Sequence, residues 1–554
     1  MKRRDWWRDA LLYHVYVRSF ADSDGDGVGD LPGLISRLGY LRWLGVDAIW
    51  LSPTSVSPDA DFGYDISDYR RVQPALGDDA ALDELISAAH RKGIRVLLDL
   101  VPNHTSVDHP WFAEARAGRG SPRRDWYVWG DGRGAAPPNN WLSDFRKRGS
   151  PRSAWTFDSR SGQWYLSSFL PEQVDLNWHN PAVRAEFLDI LATWFRLGAD
   201  GVRIDVAHKL VVDAQLRDNP PLEADDDPVS RNRGQRQLMN AERPELHDIL
   251  RSWRRLADSF DPPRLLLGET YVGAVERLAP FYGAGDELHL ALNAPFMRTP
   301  LTAAALRTSV DATLAVLPPG AWPLWCGSSH DDGRLASRWC GGDQRLVRCA
   351  VLLLLTLKGT PILYYGDEIG MTDVEVPPGR RRDRGGRRDR SRTPMQWSGQ
   401  PGGGFTRPGV EPWLPMGDCT GCSVVDQRVD PDSTLRFCHD LIAARRRRDG
   451  LRRGEMTWLA SPEGVLAWRR GAGNAVAINL TDGPAEVTGI IGRVVVATDH
   501  ERVGEPLRER TLLAPHSGLL ADLQLPGLRR SQREPSSVLA RHGGRRSRLP
   551  EARR

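Results

Sequence analysis

The sequence predicts an α/β protein built as a (β/α)8 TIM barrel, with an inserted subdomain after strand 3 and a C-terminal antiparallel β domain. Eight short runs of β-branched, aliphatic or aromatic residues alternate with helical patterns over most of the 554 residues. The alternation is interrupted at length over residues 104–174. After about residue 450, short strand patterns follow one another with only turn residues between them.

The barrel prediction depends on eight strand candidates and the helices between them. The strand candidates are residues 13–17, 48–52, 95–101, 202–205, 265–269, 288–293, 324–327 and 362–365. Apolar residues recur every three and four positions in the intervening stretches, which is the period of an amphipathic helix. The clearest of these stretches are 34–44, 81–92, 183–197 and 346–356.

The pattern changes divide the chain into four parts. Residues 1–103 and 175–450 are expected to form the catalytic barrel, and residues 104–174, rich in Trp, Gly, Pro and Arg, an inserted subdomain. Residues 451–526 are expected to form the C-terminal β domain. The Arg-rich residues 527–554 are expected to be disordered.

Composition excludes several classes of protein. Residues 528–554 contain nine Arg and two Glu, so the formal net charge of +4 becomes −3 over residues 1–527. This charge argues against a nucleic-acid-binding surface. The sequence shows no signal peptide and no apolar run long enough to cross a bilayer, so we expect a cytoplasmic protein without a membrane partner. Cys419 and Cys422 form a single pair, too few for a zinc site.

Charged side chains follow four of the predicted strands where those strands end. Active-site residues of such barrels lie at these C-terminal ends, which all open on the same face. Four strands deliver a carboxylate, a histidine or both to this face: Asp99 and His104, then Asp205, then Glu269, then His330 and Asp331.

Carboxylates gathered on one rim suit glycoside hydrolysis. One carboxylate attacks the anomeric carbon while another protonates the leaving oxygen. Arg203 lies two residues before Asp205 on the same strand, so both side chains point to the same face. The guanidinium is expected to keep Asp205 ionised. No nucleophile elbow and no phosphate-binding glycine loop competes with this interpretation.

Several motifs resemble glycoside hydrolase family 13, the α-amylase superfamily. Four segments look like its signature regions: DLVPNH (99–104), DGVRIDVAH (200–208), GETY (268–271) and SHDD (329–332, with Ser329 first). QVDLNW (173–178) resembles a fifth. YHVYVRSFADSDGDGVGDLPG (13–33), GYDISDY (63–69) and RTPMQW (392–397) are similar to the α-glucosidase and oligo-1,6-glucosidase branch. The resemblance covers residues 1–525.

The resemblance implies a role for each matching residue. Asp205 is the implied nucleophile, Glu269 the general acid and then base, and Asp331 the residue that holds the distorted sugar ring. The implied substrate-binding residues are Asp61, Tyr64, His104, Phe169, Gln173, Arg203, His330 and Arg392. Asp61 and Arg392 look like the pair that closes the pocket around a non-reducing-end glucose, which implies exo-acting cleavage.

The sequence departs from the family pattern at two places. Ser329 stands where relatives usually have Asn, and we expect this shorter side chain to adjust the site without removing a catalytic group. Phe62 replaces a residue that is Asn in many relatives and is expected to reshape the pocket rim.

An acidic loop follows the first strand. Alternating carboxylates at Asp22, Asp24, Asp26 and Asp30 allow oxygens to converge on one hard cation, together with the carbonyl of Val28. The family resemblance supports a structural Ca²⁺ or Mg²⁺ here. No cofactor is expected for the chemistry itself.

Together these observations predict a retaining, exo-acting α-glucosidase that hydrolyses short maltose- or isomaltose-type α-glucosides through a covalent glucosyl-enzyme on Asp205. A trehalose synthase or sucrose isomerase-type transglucosylase would use the same residues. A catalytically silent interaction protein is the alternative from another class, although all three carboxylates are retained. Val206 follows the nucleophile as in α-1,6-acting relatives and in some α-1,4-acting ones, so the linkage preference stays open.

Overall fold

The main sheet of the computed structural model, which describes residues 5–145, 152–384 and 388–524, has eight strands. All neighbouring strands are parallel, and the order follows the chain, with β8 returning to pair with β1. The (β/α)8 barrel prediction is therefore confirmed. Strands β1 to β8 span Leu12–Val15, Ala48–Leu51, Arg95–Leu100, Gly201–Ile204, Leu265–Gly268, Leu290–Ala291, Leu324–Cys326 and Thr360–Tyr364.

The barrel strands are apolar because both of their faces are covered. Every residue of seven strands is buried, with β3 the exception. On β4, Val202 and Ile204 join the core that packs against the helices. Side chains alternate along a strand, so Arg203 lies on the opposite face, inside the barrel. This position brings a charge to the centre of the site.

Seven longer helices connect the strands or follow them. Helices α1 to α7 span Leu31–Leu44, Asp79–Arg91, Pro181–Leu197, Leu246–Asp258, Ala303–Val316, Gln344–Thr356 and Thr434–Arg447. Six of them are preceded by a residue whose side chain accepts a backbone N–H of the first turn. This bond satisfies a donor that has no partner within the helix. These caps are Asp30, Asp78, Asn180, Thr302, Asp343 and Ser433.

Residues between β3 and α3 form a small unit of their own. Trp129–Gly130, Trp155–Asp158 and Gln163–Leu166 make a three-stranded antiparallel sheet, with Gln163–Leu166 in the centre. His104–Ser106 pairs with Gln173–Asp175, and this pairing joins the two ends of the segment. His104 and Gln173 are thereby brought to the same edge of the barrel.

A six-stranded antiparallel sheet lies at the C-terminal end of the described chain. In spatial order its strands are Met456–Trp458, Val465–Arg470, Asn474–Asn479, Ser517–Leu523, Gly492–Ala497 and Pro506–Leu507. A further pair joins Ala485–Thr488 to Arg510–Leu513. The sheet packs against the barrel through α6, where Leu352 lies close to Gly518.

Shorter elements complete the described structure. The short helices are Pro110–Ala115, Pro228–Arg233, Ala294–Met297, Leu335–Arg338, Val424–Val429 and Asp449–Arg453, and Ser55–Val56 pairs with Asp68–Val72. Within the described ranges, no helix is both long and apolar enough to span a bilayer. The Arg-rich segment 527–554 lies outside the described residues.

Candidate active site

A cavity of about 460 Å³ opens where β3, β4, β5 and β7 end. Its size falls within the range of small-molecule sites. Of the predicted site residues, eight line it: Asp61, Tyr64, His104, Phe169, Gln173, Asp205, Glu269 and Asp331. Arg203 and His330 lie directly behind that lining and contact it. The barrel thus brings together residues that are up to 270 positions apart in the sequence.

Arg203 is the electrostatic centre of the site. Its Nη1 lies 2.5 Å from Asp205 Oδ1 and 2.9 Å from Asp99 Oδ1, and its Nη2 lies 2.6 Å from Glu269 Oε1. Only 1% of the arginine side chain is exposed. One guanidinium therefore holds the proposed nucleophile and the proposed acid at the same time, in geometry that suits charge-assisted hydrogen bonds.

The backbone after β4 adds a second support for Glu269. Val206 has φ +36° and ψ +46°, a left-handed conformation that is unfavourable for a β-branched residue. In this conformation the Val206 N–H donates to Glu269 Oε2 over 2.8 Å. Backbone strain of this kind concentrates at functional sites, where the surrounding structure enforces it.

Burial and charge separate the protonation states of the two carboxyls. Burial raises the pKa of Asp205 to about 7, with Arg203 opposing the rise and Asp99 adding to it. Burial raises the pKa of Glu269 well above its ordinary value, again against Arg203 and with help from Asp205 and Asp331. The raised pKa of Glu269 favours its protonated form, which a general acid needs. An ionised Asp205 beside a protonated Glu269 is the arrangement that double displacement requires.

Asp331 is held in its ionised form. Burial alone would raise its pKa, but His330, Arg392 and Arg388 outweigh burial and hold the pKa below its ordinary value. Arg392 Nη2 lies 2.8 Å from Asp331 Oδ1, and His330 Nε2 lies 3.3 Å from Oδ2. A fixed negative charge at this position suits the oxocarbenium-like charge that develops in glycoside cleavage.

Ser329 supports the turn that carries Asp331. Its hydroxyl oxygen accepts the Asp331 N–H over 2.9 Å, and its backbone forms a two-way bridge with Gly333. A hydroxyl thus makes the local side-chain-to-backbone bond that such turns favour. The substitution leaves Asp331 in the cavity lining.

The loop that carries Asp61 is organised by a buried carboxylate. Asp65 Oδ1 accepts the Asp61 N–H over 2.9 Å, and its Oδ2 accepts the Ala60 N–H over 2.9 Å. Phe62, next to Asp61, has φ +49° and packs on Trp413 with the ring centroids 5.4 Å apart. Phe62 is not among the residues that line the cavity.

The arginine that pairs with Asp61 is Arg388, and not Arg392, which was predicted to bind the terminal glucose together with Asp61. Arg388 Nη2 lies 2.5 Å from Asp61 Oδ1, and Arg388 lines the cavity. Arg392 is fully buried beneath it, where its Nε donates to the His330 carbonyl over 3.0 Å and its Nη2 binds Asp331. The short helical turn Arg388–Ser391 begins with Arg388 at the cavity. Arg392, the residue directly after the turn, is fully buried.

Tyr64, His104 and Gln173 form one connected polar wall. The Tyr64 hydroxyl lies 2.9 Å from His330 Nε2, and its ring is nearly parallel to the His330 ring. His104 Nε2 lies 2.8 Å from the Tyr64 carbonyl oxygen, while Gln173 Nε2 donates to Asp61 Oδ2 over 3.2 Å. Phe169 adds an apolar face beside His104, at 5.3 Å between ring centroids.

Several residues of the site are not among those predicted to act in it. Asp99 lies at the end of a predicted strand and shares Arg203 with Asp205. Beyond the predicted set, the cavity is lined by Asp144, Phe145, Val206, His208, Pro228, Val229, Asn232, Arg233, Tyr271, Arg298, Asp332 and Arg388. Asp332 and Tyr271 lie inside the quoted motifs, one residue after Asp331 and two residues after Glu269. This closeness in sequence to predicted catalytic residues is the signal that points to them. Asn232, in the short helix Pro228–Arg233, and Arg298, directly after the short helix Ala294–Met297, have no such signal.

The acidic loop brings three carboxylates together. Oxygens of Asp22, Asp24 and Asp30 lie within 4.8 Å of one another, and none of the three forms an ion pair with Arg or Lys in the described part of the chain. Such convergence suits a hard cation with oxygen ligands. Asp26 is not in this group; its Oδ1 accepts the Val28 N–H over 2.7 Å. Three of the four carboxylates that were expected to bind the cation therefore lie close enough together to fit Ca²⁺ or Mg²⁺.

The chain is similar to known proteins over most of its length. The α-amylase catalytic-domain family matches residues 14–454. A probable α-glucosidase of Rhizobium meliloti (strain 1021) is 36% identical over 498 residues, 85% of this chain and 88% of that protein. A crystal structure of an α-glucosyl transfer enzyme has a TM-score of 0.86 at 38% identity, over 94% of this chain and 99% of the other. The trehalulose synthase of Pseudomonas mesoacidophila has a TM-score of 0.85 at 28% identity, over 94% and 99%.

Proposed function

The chain belongs to the α-amylase family and is a glycoside hydrolase by that membership, and from this premise we propose that it is a retaining, exo-acting α-glucosidase. Its proposed substrates are short α-glucosides of the maltose and isomaltose type. The observation that supports the proposal most directly is the single Arg203 guanidinium bonded to both Asp205 and Glu269 beside one cavity.

In the first step Asp205 attacks the anomeric carbon of a glucose bound in the cavity. The bond between an Asp205 oxygen and this carbon forms while the glycosidic C–O bond breaks. The Glu269 proton passes to the leaving oxygen, so the departing group leaves as an alcohol. Arg203 stabilises Asp205 as the anion, and Asp331 stabilises the positive charge that develops on the ring.

In the second step water attacks the same carbon from the side that the leaving group vacated. Glu269, now ionised, takes the proton of the water, and the bond to Asp205 breaks. Two inversions restore the original α configuration. Glu269 must donate a proton in the first step and accept one in the second. Its raised pKa suits the first task, and the two donors that hold its ionised form, Arg203 and the Val206 N–H, suit the second.

Exo-acting cleavage is supported by the polar groups around Asp61 in the cavity lining. Asp61 and Arg388 form a nearly buried ion pair there, with Gln173 bonded to the same carboxylate. Buried hydrogen-bonding groups of this kind suit the hydroxyls of a terminal glucose. The acidic loop supports a structural Ca²⁺ or Mg²⁺ held by Asp22, Asp24 and Asp30, away from the chemistry.

Transfer of glucose to another alcohol is the second candidate, because any acceptor that replaces water in the second step gives a glucoside. The similarity of the chain to an α-glucosyl transfer enzyme and to a trehalulose synthase supports transfer as the second candidate. Incubation with maltose, isomaltose, sucrose and trehalose separates the two activities by product. Isomer formation without glucose release would overturn hydrolysis as the main activity.

The test of the proposed site is kinetics on maltose and isomaltose for wild type, Asp205→Asn and Glu269→Gln. Both variants should lose at least about a thousandfold in kcat/KM, since each removes a group that acts on the reacting bond. Unchanged turnover in either variant would refute the assignment. The exposed pair Arg91 and Glu84 offers a control in Glu84→Gln, which should retain full activity.

A further inference from the structure

Trp50 lies in the interior of the barrel and has no part in the mechanism proposed above. It belongs to β2, is 5% exposed and is not among the residues that line the cavity. It shares an apolar cluster with Leu12 of β1 and Leu97 of β3. Because side chains alternate along a strand and the inward ones fill the barrel, the indole occupies the layer beneath the site.

The indole contacts both members of the ion pair between Asp99 and Arg203. Its Nε1 donates to Asp99 Oδ2 over 3.1 Å. The Arg203 Cζ lies 5.1 Å from the centroid of the indole ring, within the range of a cation–π contact. Arg203 Nη1 in turn donates to Asp99 and to Asp205. One rigid side chain therefore touches both groups through which Asp205 is held.

His14 of β1 stacks on this indole. The two ring centroids are 3.6 Å apart and the ring planes are 9° from parallel. Burial lowers the pKa of His14 well below its ordinary value, and the nearby His330 and Arg203 lower it further. The stacked ring is therefore neutral and places no second positive charge beside Arg203. Close packing of this kind leaves Trp50 few alternative rotamers, so its N–H stays directed at Asp99.

The guanidinium of Arg203 needs a fixed place because three carboxyls share it. Its Nη1 donates to Asp99 and Asp205, and its Nη2 binds Glu269. A displacement toward one carboxyl lengthens the bonds to the others, and a misplacement of about 1 Å near a reacting group can cost a hundredfold in rate. The indole contacts this group from the barrel interior, which the substrate does not enter in the proposed mechanism. It therefore limits the movement of Arg203 whether or not a sugar is bound.

We propose that Trp50 is a positioning residue of the proposed reaction: through its N–H to Asp99 and its ring contact with Arg203, it fixes the guanidinium that aims Asp205. This inference deepens the proposed function and rests on it. Trp50 lies outside the cavity lining, so it touches neither the sugar nor the reacting bond. Its loss should therefore lower kcat while the KM changes little.

Two substitutions separate the two contacts. Trp50→Phe keeps an aromatic ring beside His14 and Arg203 but removes the N–H. It should lower kcat on maltose about tenfold and leave the KM within about twofold, because the Tyr64 hydroxyl still donates to Asp99 Oδ2. Trp50→Leu removes the ring as well and should lower kcat about a hundredfold. Benzothienylalanine at position 50, with sulfur in place of the N–H, keeps the shape of the indole and serves if Trp50→Phe does not fold.

Trp253→Phe is the matched control. Trp253 is 1% exposed, belongs to α4 and packs on Trp178 with the ring centroids 5.5 Å apart, outside the cavity lining. This variant loses the same atoms from a buried site, so its melting temperature should fall, while its kcat and KM should stay within about twofold of wild type.

A double-mutant cycle with Asp99→Asn tests whether Trp50 acts through Asp99. If it does, the loss of kcat in the double variant is smaller than the product of the two single losses, because both changes break the same contact. A general loosening of the fold would instead give losses that multiply. Melting temperatures of all variants are measured alongside the kinetics.

A fall in kcat at nearly constant KM, together with losses that do not multiply, supports the positioning role. Unchanged kcat in Trp50→Phe, an equal fall in Trp253→Phe, or losses that multiply with those of Asp99→Asn would overturn that role and leave the α-glucosidase proposal intact. A wild-type enzyme that cleaves neither maltose nor isomaltose would instead overturn the proposed function, and with it this inference.

Discussion

Arg388 Nη2 and Asp61 Oδ1 lie 2.5 Å apart, and both side chains line the cavity. The Asp61 side chain is 4% exposed and that of Arg388 is 13% exposed. Removing one member of a buried pair leaves the other charge without compensation, which costs far more than breaking an exposed pair. We therefore expect the loss of either side chain to disturb the other.

Arg388→Ala should lower kcat/KM for maltose by at least about 30-fold, equivalent to ~2 kcal/mol, because it removes a charge-assisted contact and leaves Asp61 unpaired. Steady-state kinetics measure the effect. Arg384→Ala is the control, since Arg384 is 61% exposed and pairs with Glu172 outside the cavity. Equal kinetics for the two variants would show that Arg388 does not bind substrate.

The pH dependence of kcat/KM should have two limbs. Activity should rise with pH as Asp205 loses its proton around neutrality, and fall at higher pH as Glu269 loses the proton that it must donate. Asp99→Asn removes a negative neighbour that raises the pKa of Asp205. The acidic limb should therefore move to lower pH in this variant.

A full pH–rate profile of wild type and Asp99→Asn measures that shift. The asparagine keeps an oxygen that can accept from Arg203, so the packing is disturbed little. Asp47→Asn, which changes a half-buried carboxyl outside the cavity lining, should leave the limb in place. An acidic limb that stays fixed or moves upward in Asp99→Asn would contradict the charge arrangement described here.

Removing divalent cations should lower the melting temperature. A ligand that binds only the folded chain stabilises it by about 2.7 kcal/mol at a hundredfold excess over its Kd. For a chain of this size we expect a fall of several degrees on adding EDTA, restored by excess Ca²⁺. Asp24→Asn should weaken this response, because Asp24 belongs to the converging group.

Asp26→Asn is the matched control for that experiment, since its carboxylate is outside the converging group. Differential scanning calorimetry with and without Ca²⁺ compares the two variants. Identical loss of the Ca²⁺ response in both would place Asp26 among the ligands. No response in wild type would remove the cation site altogether.

Ser329→Ala should reduce kcat/KM about three- to tenfold. The substitution deletes the acceptor for the Asp331 N–H and loosens the turn that aims this carboxylate. Ser329→Asn offers an equivalent acceptor and should recover most of the activity. If the alanine variant matched wild type, the hydroxyl would have no part in positioning Asp331.

The sequence by itself determined the barrel and the rim where the site lies. Asp205, Glu269 and Asp331 could be predicted because each closely follows a buried strand, and parallel strands of a barrel end on one face. Arg203 could be placed beside Asp205 because side chains alternate along a strand. These inferences need only local spacing, which a sequence displays directly.

Tertiary structure alone decided which charges meet. Arg388 and Arg392 are four residues apart in one Arg-rich segment, and the partner of Asp61 lies 327 positions away, so only the folded path of that segment selects between them. The same holds for Asp99 sharing Arg203 and for Arg298 reaching Asp332. Ion pairs and pKa values depend on distances of a few ångströms and on burial, and neither quantity is contained in local sequence spacing.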